Sequence, residues 1–154
     1  MNDSFIFYRG FYEALEGLSA EEFRDCVKAL CEYALMDYIG RYYGASTRAS
    51  TAFDRIETAM RITIPRGVTP GSPIDYFQDL TEYSQVVYRR GAALWMALEN
   101  LMGKDQLDAA LQQYVQDFRF RLATRPQLTQ LLSQAAGQDL TALMEDYLDT
   151  YISN

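Results

Sequence analysis

Three of the four prolines and two of the nine glycines fall in one stretch, Thr63–Pro73. Proline lacks the N–H and restricts the residue before it, so this stretch is not regular helix. On both sides of it, apolar residues recur at helical spacing. The expectation is an all-α chain, a bundle-like domain of about six to seven helices with one Pro/Gly-rich loop. Arg61–Ile64 is the sole short candidate for a strand. The break is eleven residues long, more than a compact domain uses for a passive connection. It therefore lines a site or joins two lobes.

The individual helices read as follows. Ser4 caps a first helix carrying Phe7, Tyr8, Phe11, Tyr12 and Leu15, closed by Gly17. Ser19 and Glu22 have capping-box spacing and open a second, with Phe23, Val27, Leu30, Cys31, Ala34 and Tyr38 on its apolar face. Gly40 and Gly44 loosen its end. Ser46 or Thr47 caps a third through Phe53, Ile56 and Met60. Beyond the break, Val87, Gly91, Leu94, Leu98 and Leu101 form one buried stripe flanked by Tyr88, Trp95 and Met102, ending at Gly103. Leu107, Leu111, Tyr114, Val115 and Phe118 mark the next helix. Thr124-Arg125-Pro126-Gln127 is a cap with an early proline, ahead of Leu128, Leu131, Leu132, Ala135 and the stop at Gly137. Asp139 caps the last helix, through Leu140, Leu143, Met144, Tyr147, Leu148 and Tyr151.

Composition excludes several functions. The chain of 154 residues has no histidine. That removes the Ser-His-Asp triad, the Cys-His pair and every His-ligated zinc site. The net charge is −7, whereas phosphate contact needs a basic face, so no nucleic-acid partner is expected. No apolar run reaches membrane-spanning length. Met1-Asn2-Asp3-Ser4 lacks the basic start of a signal peptide, so the expected setting is the cytoplasm. Cys26 and Cys31 point roughly 140° apart on a helix and read as small core residues in a reducing compartment. The pairs Glu21/Asp25 and Asp75/Asp79 have helical spacing and read as solvated faces, with a metal or acid/base role as the sharper alternative.

The segment Tyr83-Ser-Gln-Val-Val-Tyr88-Arg-Arg-Gly91-Ala-Ala-Leu94 resembles the zinc aminopeptidases of the gluzincin clan, of the membrane alanyl aminopeptidase type. Those enzymes carry Val-Tyr-x-Lys-Gly-Ala on a helix. The likeness continues through Leu98–Gly103, Leu111–Tyr114, Phe118-Arg-Phe120 with Ala123-Thr124, Ala135–Leu140 and Tyr147–Thr150. Tyr38–Gly44 resembles the lead-in, so the likeness covers about residues 38–152. It implies that Tyr88 is the phenol that stabilises the oxyanion of a tetrahedral intermediate. Arg90 stands where the family has lysine. It also implies zinc held by two histidines of H-E-x-x-H and a later glutamate, the motif glutamate being the general base. That third ligand lies four residues before a Glu-Tyr pair. With Glu32-Tyr33 as the pair, the position holds Lys28.

The N-terminal words Asp3–Ala14 and Ala29–Leu35 resemble the opening of small phage and prophage proteins of unassigned function. The domain expectation is a phage-like helical hairpin over 1–37 and a peptidase-like helical region over 38–154, packed as one unit. Phe7, Phe11, Phe23, Val27 and Leu30 would then cover the C-terminal helices. The expected function is that of a truncated metallopeptidase-like domain. It keeps the Tyr88 segment, binds no cofactor itself and is inactive alone. Its partner is a missing zinc-bearing lobe or a second copy of the chain. Tyr88 is expected at a groove lined by Thr63–Pro73. The alternative is a helical protein-interaction module using exposed aromatics in residues 5–15. A third reading is a small-molecule binder with a cavity near Trp95.

Overall fold

The structure, a computed structural model, describes residues 20–62, 67–118 and 124–150, with side chains described from residue 29 onward. The expected first helix and the cap at Ser19 lie outside the described residues, as do the side chains of Glu21, Phe23, Asp25, Cys26 and Val27. The fold is all-α, with six helices and no strand among the described residues. Helix α1 is Ala20–Tyr43. Helix α2 runs Ala45–Ala52, then Phe53–Glu57 as a π-helical segment, then Thr58–Arg61. A single 3-10 turn, Ile74–Tyr76, precedes α3. Helix α3 runs Leu80–Tyr83, a π-helical Ser84–Arg90, and Gly91–Met102. Helices α4 (Lys104–Phe118), α5 (Arg125–Ala136) and α6 (Thr141–Leu148) complete it.

Many boundaries follow local chemistry. Helix α1 passes through Gly40 and stops only at Gly44, where φ is +88°. Helix α2 begins at Ala45, before both expected caps, with Gly44 at its N-cap and no side-chain bond there. Asp79 Oδ1 accepts the N–H groups of Thr81 and Glu82, which opens α3. Gly103 and Gly137, both at positive φ, close α3 and α5. The Thr124–Gln127 capping box is present, with Gln127 Oε1 accepting Thr124 N–H at 2.8 Å. Asp139 Oδ1 accepts both Thr141 N–H and Thr141 Oγ1.

The described residues fall into two compact units. In the unit made of residues 98–142, α4 packs on α5. Gln106 donates to Ala135 O, and Leu140 N–H to Ser133 Oγ. Leu98, Leu107, Leu111, Tyr114, Leu128 and Leu132 are buried as the periodicity predicts, while Leu101 is exposed.

In the other unit, made of 24–97 and 143–150, α1, α2 and the first part of α3 share a core. Met36, Ala52, Ile56 and Ala92 cluster there, flanked by Ile39, Ala93 and Met96. The long break lies within this unit. Its residue Val68 packs on Val86 and Phe77, and Gly71 N–H donates to Leu148 O at 2.9 Å. Helix α1 presents Ala29, Leu30, Tyr33 and Met36 inward. Cys31 and Tyr38, expected on that face, are exposed. The buried stripe is turned away from the 27-31-34-38 row because Tyr33 and Met36 fill the core.

Helices α1 and α3 come close together at Gly91. A Cβ added there would lie 2.7 Å from Ala29 Cβ, and a methyl with no room forces backbone movement. Gly91→Ala gains about 1 kcal/mol of helix propensity and loses about 1–3 to overpacking, so a net loss of about 1 kcal/mol is expected in urea denaturation. The double variant Ala29→Gly with Gly91→Ala should be more stable than the sum of the two single changes implies. Strict additivity would contradict the close approach.

Candidate functional site

Tyr88 sits on the π-helical segment of α3, half-buried. In an α-helix, residues five apart point roughly 140° away from each other. The i→i+5 bonding of a π-helix brings such residues into line. Gly91 N–H accordingly donates to Val86 O, five residues back. The same register sets Tyr88 edge-on to Tyr83, with ring centroids 6.0 Å apart and planes at 85°. Tyr83, buried, meets Phe77 in turn at 5.1 Å and 87°. Three rings thus form an edge-to-face ladder, an arrangement the ring quadrupole favours. It starts just beyond the Pro/Gly-rich break and ends at Tyr88.

Two residues on, Arg90 is the buried charged residue of the described core, 3% exposed. Its Nε donates to Ala59 O at 3.0 Å and its Nη2 donates to Ile62 O. Ala59 lies in the last turn of α2 and Ile62 directly follows its end, where the helix dipole favours a cation. Sequence reasoning gave Arg90 only as a replacement for lysine. A cation beside the apolar stripe Val87, Gly91 and Leu94 was the available signal. Next to it, Arg89 Nη1 donates to Gln85 Oε1 at 3.2 Å.

The other sequence candidates are not gathered at this site. Asp79 is a helix cap, and Asp75 is exposed in the 3-10 turn. Trp95 is buried in α3. Glu32, of the Glu-Tyr pair, is committed to Arg55: Nη2 to Oε1 at 2.7 Å and Nε to Oε2 at 3.1 Å. This two-pronged pair joins α1 to the π-helical segment of α2. Lys28 lies one turn before Glu32 on α1.

A zinc ion of the kind the resemblance implies does not fit these residues. Histidine is absent from the chain. With Glu32-Tyr33 taken as the Glu-Tyr pair of the resemblance, the third-ligand position would hold Lys28, whose positive charge opposes a metal. Among the described residues, no three or more Asp, Glu, Cys or His side chains are grouped to hold a metal ion.

Comparison with protein families matches residues 22–147 to the Peptidase family M1 domain. The chain belongs to the M1 peptidase family. No curated protein and no solved structure matches it. The M1 match begins within α1, upstream of Tyr38, so the M1-like region includes the helix that carries Lys28 and Glu32. It spans the Tyr88 ladder, the Arg90 contacts and both π-helical segments. No described helix of this M1 chain is long and apolar enough to cross a membrane.

Cys31 is a free, exposed thiol. Partial burial raises its pKa above the ordinary value, and the neighbouring Glu32 carboxylate raises it further. Both effects disfavour the thiolate, so nucleophilicity at neutral pH falls. In a Cys26→Ser chain, alkylation of Cys31 by iodoacetamide should reach its half-maximal rate at a higher pH than a free cysteine peptide. Glu32→Gln should lower that midpoint without restoring the peptide value, because burial is the larger cause. A midpoint below the peptide's would contradict this assignment.

Proposed function

We propose that this M1-family chain is a non-catalytic helical module that keeps the oxyanion-tyrosine element while lacking zinc ligands of its own. Tyr88 is the phenol that the element presents. The zinc-bearing residues belong to a separate lobe with which the module works, and a second copy of the chain is the other candidate partner. Neither nucleic acid nor a bilayer is a partner in this reading. The cytoplasm is its setting, in keeping with the free thiol of Cys31. The observation that carries the proposal is the pairing of an ordered Tyr88, half-buried at the end of an aromatic ladder, with a chain that has no histidine. A preorganised phenol can lower a barrier by roughly 3 kcal/mol, but only beside a group that generates the nucleophile.

A second reading, a helical protein-interaction module related to phage proteins, draws support from the end of α1. Tyr38, Tyr42 and Tyr43 are all exposed there, with Tyr38 against Tyr42 at 4.6 Å. Residues 5–15, which first suggested this reading, lie outside the described residues.

Three measurements test the main reading. Calorimetric titration with zinc should show no submicromolar site. Amino-acid anilides should not be turned over by the chain, with or without added zinc. Zinc binding in that range, or turnover abolished in Tyr88→Phe, would overturn the reading. Tyr88→Phe should also keep the helix content of the chain by circular dichroism, since the ring and its edge contact with Tyr83 remain.

A further inference from the structure

We propose that Arg90 is a positioning residue: by gripping two carbonyls at the end of α2, it holds Ser84–Arg90 in π register and so sets the orientation of Tyr88. The proposal rests on the reading of Tyr88 as the functional phenol, but its geometry stands on separate observations.

The π segment ends at Arg90. Its guanidinium is anchored to Ala59 O and Ile62 O, which lie 31 and 28 residues earlier in the chain. The next residue is confined as well, because a Cβ on Gly91 would lie 2.7 Å from Ala29 Cβ. An isolated π segment is a strained form of helix, and i→i+4 bonding would ordinarily replace it. Reversion to α-helical register over these residues would turn each successive side chain relative to Tyr83. Tyr83 and Tyr88 would then diverge by roughly 140° and their edge contact would be lost. A planar guanidinium with donors at fixed angles holds two carbonyls at once, whereas a lysine ammonium is a point donor on a flexible stem. In this chain the two-carbonyl grip therefore uses the arginine fork, which the lysine found at this position in the resembling family would not reproduce. Val86, buried against Val68 and Phe77, supports the middle of the segment without fixing its register, since apolar contact is not directional.

The test places 3-fluorotyrosine at position 88 of the full chain and reads its fluorine resonance. A second sample with the label at position 38, an exposed tyrosine outside the ladder, serves as control. In Arg90→Lys the resonance at position 88 should move toward the value of an unstructured peptide. Helix content by circular dichroism and the line at position 38 should stay unchanged. Arg90→Met should produce the same shift or a larger one, and if that variant does not fold, Arg90→Lys alone decides. Ile56→Ala, which loosens the same core without touching the clamp, should leave the line at position 88 in place. The proposal is overturned if Arg90→Lys folds with the line unmoved, or if Ile56→Ala moves it equally. Zinc binding or peptidase activity enters none of these readouts, so failure here is distinguishable from failure of the proposed function.

Discussion

Arg90 carries a full positive charge almost wholly removed from water. Such burial is costly unless strong hydrogen bonds replace hydration. Here the acceptors include two main-chain carbonyls at the end of α2, Ala59 O, which also accepts the Ile62 N–H, and Ile62 O. Each side therefore satisfies the other: the helix end gains donors, and the cation gains acceptors already polarised by the helix dipole. The other links in this unit complete a triangle. Glu32 and Arg55 join α1 to α2, and Gly91 against Ala29 joins α1 to α3. Arg55 and Arg90 both lie in π-helical segments, with Gly91 directly after the second. The two irregular segments thus carry the connections that regular α-helix would aim elsewhere.

The all-α class was legible because amphipathic periodicity and capping chemistry are local. Thr124 and Gln127 bond as their spacing requires, and Gly103 and Gly137 stop their helices at positive φ. The stripe Val87, Gly91, Leu94 and Leu98 is buried as read. What failed was decided by tertiary packing. Leu101, one turn beyond Leu98, stays exposed because a stripe predicts which side faces inward but not where the covering neighbour ends. Cys31 was placed in the core because five small or apolar residues shared its row. Tyr33 and Met36 are larger, bury more surface and turn α1 toward themselves. The start of α2 was misplaced because Ser46 and Thr47 are good caps in isolation. Gly44 had already released the chain from α1, and Thr47 Oγ1 instead bonds back to Tyr43 O.

The family was legible in the sequence, while the geometry around Tyr88 was not. The ordered words around Tyr88 pointed to the M1 family, and the family match covers them. The expected stripe Val87, Gly91, Leu94 and Leu98 assumed α-helix throughout. No composition rule marks Ser84–Arg90 as π-helical, because the register is imposed from outside the segment. Its stabilisers, the carbonyls of Ala59 and Ile62, sit across the Pro/Gly-rich break. The break itself packs through Val68 onto Val86, so its length is used in returning the chain to the helix that carries Tyr88.

The links that hold Tyr88 in place contain no metal ligand. A guanidinium on carbonyls, a glycine against an alanine and an edge-to-face ladder all form from apolar and hydrogen-bonding groups. None needs the charge of a bound ion for its own stability. A zinc site is different, since its ligands are mutually repelling until the metal arrives and its binding energy is part of folding. Tyrosine placement and metal binding are therefore separable physical properties of an M1 helical region. A chain without histidine can lose the second outright and still fold around the first. In the proposed reading, that separability lets the Tyr88 segment stand as ordered structure in a chain that has no histidine.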